Sequence, residues 1–576
     1  MKTARTRFWG PIPLKLALLM LCLSLSANLS ALRWRGLRAG WETGQHWQLP
    51  AFILLYAALA CATFCAGLAH KRWARGAYAT FFSVAAIAEY VFFSTMGQPP
   101  TFGSVQMLIA SRDAWQEAAS FQIAGLFSAF LIGLTLFLAI FIAPSPASAR
   151  FRRAAFLPLG VLPLLIAGIL ARGGSGLEGA PPGWIGPAYA STGYVRSLYA
   201  ANLPPVVVPS LLPRRGTDGD IVLIIDESIA ANYLDINQPD RGVRSGLLNA
   251  RKGIEIANFG VAASAANFSA GSNYILRYGG TRSRYSYLDT GLRPIWNYAH
   301  TAGYRTVHFF VQSYTGLQNL MTAAEFKQID DYETLSDVDE RVRDVEAAKR
   351  VSALLHNGQK EFILVNKSGA HFPAASRYPV ENTLFTPTLT WQRDGAQTLT
   401  GHASEVMHTE ADWLKYRNDY RNAIVSNVGH FFDTLLDGGL PAGSTIIYTS
   451  DHGEAMHERG WGERFPHGTA AIRTPEEGAV PLVALSPDDA SGALWRAAAA
   501  QTGGVSHYQI FPTLLTLMGY EPLGILKSYG PNLLSHAPDP MTFNTEFYEG
   551  FGYRPTWRKI IRAELALPPL GDFNRR

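Results

Sequence analysis

Five apolar runs occupy the first 172 residues, at about 11–32, 48–69, 77–96, 120–144 and 154–171. Each approaches the roughly 20 residues a helix needs to cross a bilayer. A helix also satisfies its own backbone hydrogen bonds, as lipid demands. The pattern therefore restricts the first third of the chain to a bundle of five membrane-spanning helices. The first run is followed by four more and has no clear small-residue cleavage site, so it reads as an uncleaved span rather than a signal peptide.

Composition supports this division. Charged residues make up 16% of the 576, against the usual quarter or so, and the shortfall sits mostly in the first 175 residues. The net charge of +5 forms no block of the kind that binds nucleic acid. Basic residues instead cluster at the ends of apolar runs: Lys2, Arg5 and Arg7; His70, Lys71, Arg72 and Arg75; and Arg150, Arg152 and Arg153. Placing all three clusters in the cytoplasm obeys the positive-inside rule, with Arg33, Arg35 and Arg38 as the exception. Everything after residue 172 then lies outside, which for a bacterial chain means the periplasm or the cell exterior; an inner-membrane protein with a periplasmic domain is the expectation. The three cysteines, Cys22, Cys61 and Cys65, lie in the apolar third and allow neither a disulfide framework nor a Cys-rich metal site.

Residues 173–217 are rich in Gly and Pro and read as a linker along the membrane surface. From 218 the pattern changes. Short β-branched runs, "DIVLIIDES" (220–228), "YRTVHFFV" (304–311), "EFILVNKSG" (361–369), "GSTIIYTSDHG" (443–453) and "VPLVALS" (480–486), alternate with helix-like segments at 344–358 and 417–439. Continuous apolar strands separated by helices predict an α/β domain over 218–576, with helices on both faces of a mostly parallel sheet.

Open α/β sheets carry their sites beyond the carboxyl ends of the strands. There the sequence places Glu227, His371, and Asp451 with His452. Two carboxylates and an imidazole suit zinc and are acceptable to manganese. A divalent ion would lower the pKa of a hydroxyl nucleophile and polarise a phosphoryl oxygen. His371 and His467 would contact other phosphoryl oxygens or protonate a leaving group. Taken singly, Asp451 also reads as a cap, Glu227 as a surface carboxylate, and either histidine as a loop residue.

At these residues the chain resembles the alkaline phosphatase/sulfatase superfamily, and within it the membrane-bound phosphoethanolamine transferases. "LIIDES" resembles the first metal-ligand strand and "TSDHGE" (449–454) the most specific signature, which implies Glu227, Asp451 and His452 as metal ligands. "SGAHFPAASRYP" (368–379) and "FPHG" (465–468) resemble the segments that carry the substrate-side histidines, implying His371 and His467. "QMLIASRDAWQEA" (106–118) resembles the family's outer loop and suggests Met107 and Glu117 on the substrate side. The family's nucleophilic threonine has no direct counterpart: in "NFGVAASAANFSAGSNYILRYGG" (258–280) a gapless match falls on Asn267, or on Ala266 with a one-residue slip. Ser269 is the expected nucleophile, with Ser264 and Ser272 nearby, on a turn that opens a helix and could present free N–H groups to a phosphate.

The resemblance implies transfer of a phospholipid head group, phosphoethanolamine first among them, to an envelope lipid or glycan through a covalent phospho-hydroxyl intermediate. The membrane phospholipid is the donor, the envelope molecule the acceptor, and a divalent metal, zinc before manganese, the cofactor. Glycerol phosphate transfer, phosphodiester or sulfate ester hydrolysis on the same scaffold, and an inactive sulfatase-like membrane protein are the alternatives.

Overall fold

In the computed structural model, the described residues are 11–42, 46–96, 99–102, 104–105, 109, 125–144, 146–172, 176–200, 213, 216, 218–283, 292–312, 319–389, 409–458, 474–501, 503–545 and 556–565. The chain forms two compact units, the first covering Met1–Leu203 and the second most of the chain from Pro204 to Arg576.

Each of the five apolar runs in the first unit contains a helix: Ile12–Leu25, Gln48–Ala66, Arg72–Met96, Leu126–Phe141 and Leu157–Ala171. Three stretches, Gln48–Ala66, Arg72–Ser94 and Phe151–Ala171, are long and apolar enough to cross a membrane, whereas Ile12–Leu25 and Leu126–Phe141 are shorter. The first run is broken after Leu25, where Ser26 turns its hydroxyl back onto Cys22 O at 2.8 Å, and a second helix runs from Asn28 to Glu42. The Gly/Pro-rich stretch after the spans holds the helix Ile185–Ala200. Its amino end is capped by Glu89, buried on the Arg72–Met96 helix, whose carboxylate accepts the N–H groups of Gly183 and Gly186 at 2.7 and 2.8 Å. A carboxylate at a helix amino terminus meets both unbonded N–H groups and the positive end of the helix dipole, which is how the unit accommodates this buried acid.

The second unit is built on a seven-stranded sheet in the order β2-β7-β6-β1-β5-β3-β4. The strands are β1 (Ile221–Asp226), β2 (Ile254–Ala263), β3 (Arg305–Phe310), β4 (Asp331–Glu333), β5 (Glu361–Asn366), β6 (Thr445–Ser450) and β7 (Ala479–Pro487). β7 runs antiparallel to both its neighbours, while the pairs β6-β1, β1-β5, β5-β3 and β3-β4 are parallel. The sheet is therefore mixed, with β7 alone reversed.

β1 is buried at every position because the sheet is covered on both faces. Val222 and Ile224 enter one apolar core, together with the Arg343–Leu355 and His430–Leu435 helices. Ile221, Leu223 and Ile225 enter the other, with the Ile295–Thr301 and Ile510–Leu517 helices. The alternation follows the two-residue period of a strand, and burial on both faces explains the uninterrupted apolar sequence.

Candidate active site

The two central strands build the site directly. In the parallel pairing of β1 and β6, Asp226 lies opposite Ser450, so the following residues, Glu227 and Asp451, emerge side by side beyond the carboxyl edge. His452 follows at once. All three are buried, and one ligand atom from each lies within 4.8 Å of the others. His452 Nε2 is 3.4 Å from Glu227 Oε1 and 3.7 Å from Asp451 Oδ2.

The surrounding hydrogen bonds aim these atoms inward. Asp451 Oδ1 accepts the N–H groups of Ser228 and His452 at 3.0 and 2.7 Å. Its Oδ2 is buried with no hydrogen-bond partner among the described residues. Glu227 accepts from Ser228 Oγ at 2.9 Å and from Gln312 Nε2 at 2.8 Å. His452 Nδ1 lies 2.9 Å from Gly453 O. A carbonyl only accepts, so Nδ1 carries the proton and Nε2 faces the carboxylates, the arrangement usual for an imidazole ligand. Gly369 lets the loop after β5 pass close by: its φ is +56°, and a Cβ there would stand 2.3 Å from Glu227 O.

Electrostatics point the same way. Burial, then the charge of Glu227, pushes the Asp451 carboxyl up to about 7. Burial disfavours the His452 imidazolium, but Asp451 and Glu227 outweigh it and raise it to about 10. Burial also opposes the Glu227 anion, yet the hydrogen bond and charge of His452 bring it below the usual range. The pocket thus calls for positive charge between its carboxylates. With an orphaned Asp451 oxygen and an inward Nε2, the three residues fit a divalent cation.

Ser269 opens the helix Ser269–Tyr278. Its Oγ lies 3.2 Å from each carboxylate oxygen of Glu227 and 3.3 Å from His452 Nε2, so a hydroxyl at the amino end of a helix sits against two of the three candidate ligands. The neighbouring serines are turned elsewhere. Ser264 Oγ donates to Ala266 O at 2.7 Å, and Ser272 Oγ bonds both Ala266 N and Ala266 O. Asn267 is buried and donates to Glu477 at 2.7 Å, and Ala266 is buried beside it.

His371 stands on the loop after β5, where Ala370 N donates to Glu227 O at 3.0 Å. Its Nδ1 contacts Phe372 O at 2.7 Å and Arg377 Nη2 at 3.3 Å. His467, Met107 and Glu117 lie outside the described residues.

Three supporting residues carry no signal of their own in the sequence. Gln312 follows β3 and reaches Glu227 only once that strand is placed. Lys367 is buried against Asp226 at 2.6 Å, and its ammonium also donates to Asn427 O at 2.6 Å and stands 4.2 Å from the Phe431 ring centre. His507, in "SHYQIFPTLLTLMG", accepts from Ala265 N at 3.1 Å and donates to Ser450 O at 2.9 Å, tying the turn before Ser269 to the end of β6.

The fold is similar to the integral membrane protein lipooligosaccharide phosphoethanolamine transferase A from Neisseria meningitidis, at 18% identity and a TM-score of 0.55, over 78% of this chain and 84% of that one. The C-terminal periplasmic domain of EcEptC from Escherichia coli, in a complex with Zn, matches at 17% identity and a TM-score of 0.45, over 64% of this chain and 98% of that one. The corresponding domain of phosphoethanolamine transferase EptC from Campylobacter jejuni matches at 18% and 0.42, over 59% and 100%. No curated protein matches the chain. The sulfatase family model matches residues 220–520, just over half of the chain, and spans Glu227, Ser269 and the Asp451-His452 pair. This protein belongs to the sulfatase family.

Proposed function

We propose that this protein is an inner-membrane transferase that moves phosphoethanolamine from a phospholipid to an envelope lipid or glycan through a covalent adduct on Ser269. The observation that carries this reading is the contact of Ser269 Oγ with Glu227 and His452, at 3.2 and 3.3 Å, on the first residue of a helix. Glu227, Asp451 and His452 would hold the cation, with Ser269 Oγ facing the same point. When bound, a divalent ion, zinc for preference, lowers the pKa of a nearby hydroxyl and withdraws electrons from a phosphoryl oxygen.

Ser269 gives up its hydroxyl proton to solvent, its Oγ attacks phosphorus, and the bond from phosphorus to the diacylglycerol oxygen breaks. His371 or His467 supplies the proton that the departing oxygen needs. An acceptor hydroxyl then loses its proton and attacks the same phosphorus, the Oγ–P bond breaks, and Ser269 Oγ takes up a proton in exchange. One difficult exchange becomes two easier ones. The N–H groups of the first turn of the Ser269–Tyr278 helix favour the phosphoryl anion.

The apolar helices of the first unit give the protein the character of a multi-pass membrane protein with an extramembrane domain. In this reading they hold donor and acceptor lipids at the bilayer surface, which replaces a search through bulk solution by a local, oriented encounter. The test is to incubate the full-length protein in detergent with phosphatidylethanolamine labelled in its head group and an envelope lipid acceptor. Label on the acceptor supports transfer. Label released only as free head group identifies a hydrolase and overturns the reading.

A further inference from the structure

Behind Ser269 a line of buried amides runs away from the reacting face. Asn273, one turn along the same helix, donates from Nδ2 to the backbone carbonyl of Ser269 at 3.0 Å. Its Oδ1 accepts from Asn366 Nδ2 at 2.6 Å, and Asn366 Oδ1 lies 3.0 Å from His308 Nε2. The carbonyl at one end only accepts, so every group in the line has one consistent direction: His308 Nε2–H to Asn366, Asn366 to Asn273, Asn273 to Ser269 O. All three side chains are buried. Asn366 closes β5 opposite Ile225 of β1 and Phe310 of β3. The line thus joins the helix that carries Ser269 to the strand ends that carry Glu227.

We propose that Asn273 and Asn366 are positioning residues that fix Ser269 against the metal ligands through its carbonyl, with His308 setting the direction of the amide line. This rests on the reading of Ser269 as the nucleophile. Near that end Ser272 Oγ also ties the helix to Ala266 N and Ala266 O at 3.1 and 3.2 Å. Farther along, Arg277 pairs with buried Glu325 at 2.6 Å, which holds the distal part, while Asn273 acts on the Ser269 carbonyl itself. Neither asparagine touches the reacting atoms, so their effect should fall on the rate of attack rather than on substrate or metal binding. Displacements of about 1 Å at a reacting group cost up to about 100-fold.

The test uses full-length protein in detergent with head-group-labelled phosphatidylethanolamine. Four substitutions are compared, Asn273→Ala, Asn366→Asp, Ser269→Ala and Glu325→Gln, together with the Asn273→Ala/Asn366→Asp double variant. Asn366→Asp is isosteric and keeps the acceptor for His308, but it cannot donate to Asn273; it carries the test if Asn273→Ala does not fold. Glu325→Gln loosens the far end of the same helix and measures a purely structural loss. The expected result is a fall of about 10- to 100-fold in the rate of adduct formation for either asparagine variant, with KM and bound metal unchanged. The double variant should fall no further than the worse single one, as residues in one network behave. Wild-type adduct rates in both asparagine variants, multiplying effects in the double variant, or a loss equal to that of Glu325→Gln would overturn the proposal. If Ser269→Ala still forms the adduct, it is the nucleophile assignment that fails. If Ser269→Ala abolishes it while the asparagine variants react normally, only the positioning line fails.

Discussion

Ser269 Oγ lies 3.2 Å from both carboxylate oxygens of Glu227, although 42 residues separate them in the chain. The contact requires the end of β1 and the amino end of the Ser269–Tyr278 helix to meet at one rim. It also distinguishes Ser269 from the two serines beside it, whose hydroxyls are bonded to the Ala266 peptide.

That distinction predicts a pattern among serine variants. Ser269→Ala should abolish the covalent adduct, whereas Ser264→Ala and Ser272→Ala should still form it. Each of the latter pair should lose on the order of 1 kcal/mol of stability with its buried hydrogen bond. Intact-mass measurement after incubation with phosphatidylethanolamine, combined with thermal unfolding, reads both. An adduct that disappears with Ser264→Ala or Ser272→Ala but persists with Ser269→Ala would contradict the assignment.

Gln312 orients Glu227 Oε2 from outside the ligand set. Loss of such a partner typically costs about 10- to 100-fold in metal affinity or activity. Gln312→Ala should weaken zinc binding by that factor and leave the fold intact, as read by calorimetric titration of chelator-treated protein. Gln312→Glu should weaken it too, because the direct hydrogen-bond donor to Glu227 is gone.

Lys367 and Asp226 are both fully buried, 2.6 Å apart. Removing one partner leaves an uncompensated charge, at a cost of about 3–5 kcal/mol. Lys367→Met should therefore lower the unfolding midpoint sharply, while adding Asp226→Asn to it should restore much of the loss. A double variant no more stable than Lys367→Met would show that the pair is not what holds this corner.

His308 gives a pH-dependent prediction that needs no metal. Burial, opposed by the Asn366 hydrogen bond and aided by Arg277, lowers it from 6.5 to about 3. In the unfolded chain it takes a proton below about 6.5, but in the folded chain only near 3. Its contribution to stability is therefore present above 6.5 and is lost as pH falls from 6.5 toward 3. His308→Gln keeps a donor for Asn366 without this titration. The stability gap between wild type and variant should narrow from pH 7.5 to pH 5 in chemical unfolding curves; parallel curves would contradict it.

Much of this architecture is legible in the amino-acid sequence. Strands buried on both faces must be apolar throughout, so β1, β3, β5, β6 and β7 stand out as continuous runs, and the polar residues that end them, Glu227 and Asp451-His452, mark the rim. β2 does not stand out, because one face of "IEIANFGVAA" is only partly covered and its register shifts between Asn258 and Gly260. The reversal of β7 also has no local signature, since strand direction is set by the path of the connections. Gln312, Lys367 and the Asn273-Asn366-His308 line depend on contacts between distant segments, and each residue type is ordinary in its local sequence. Ser269 is legible as one of three hydroxyls, and only the start of its helix separates it from the other two.

The most direct test is anomalous diffraction at the zinc edge from crystals of the full-length protein grown with zinc. A single strong peak is predicted about 2.0–2.2 Å from Glu227, Asp451 and His452, with Ser269 Oγ facing it. Crystals in which zinc binds elsewhere, and these three side chains share no peak, would contradict it.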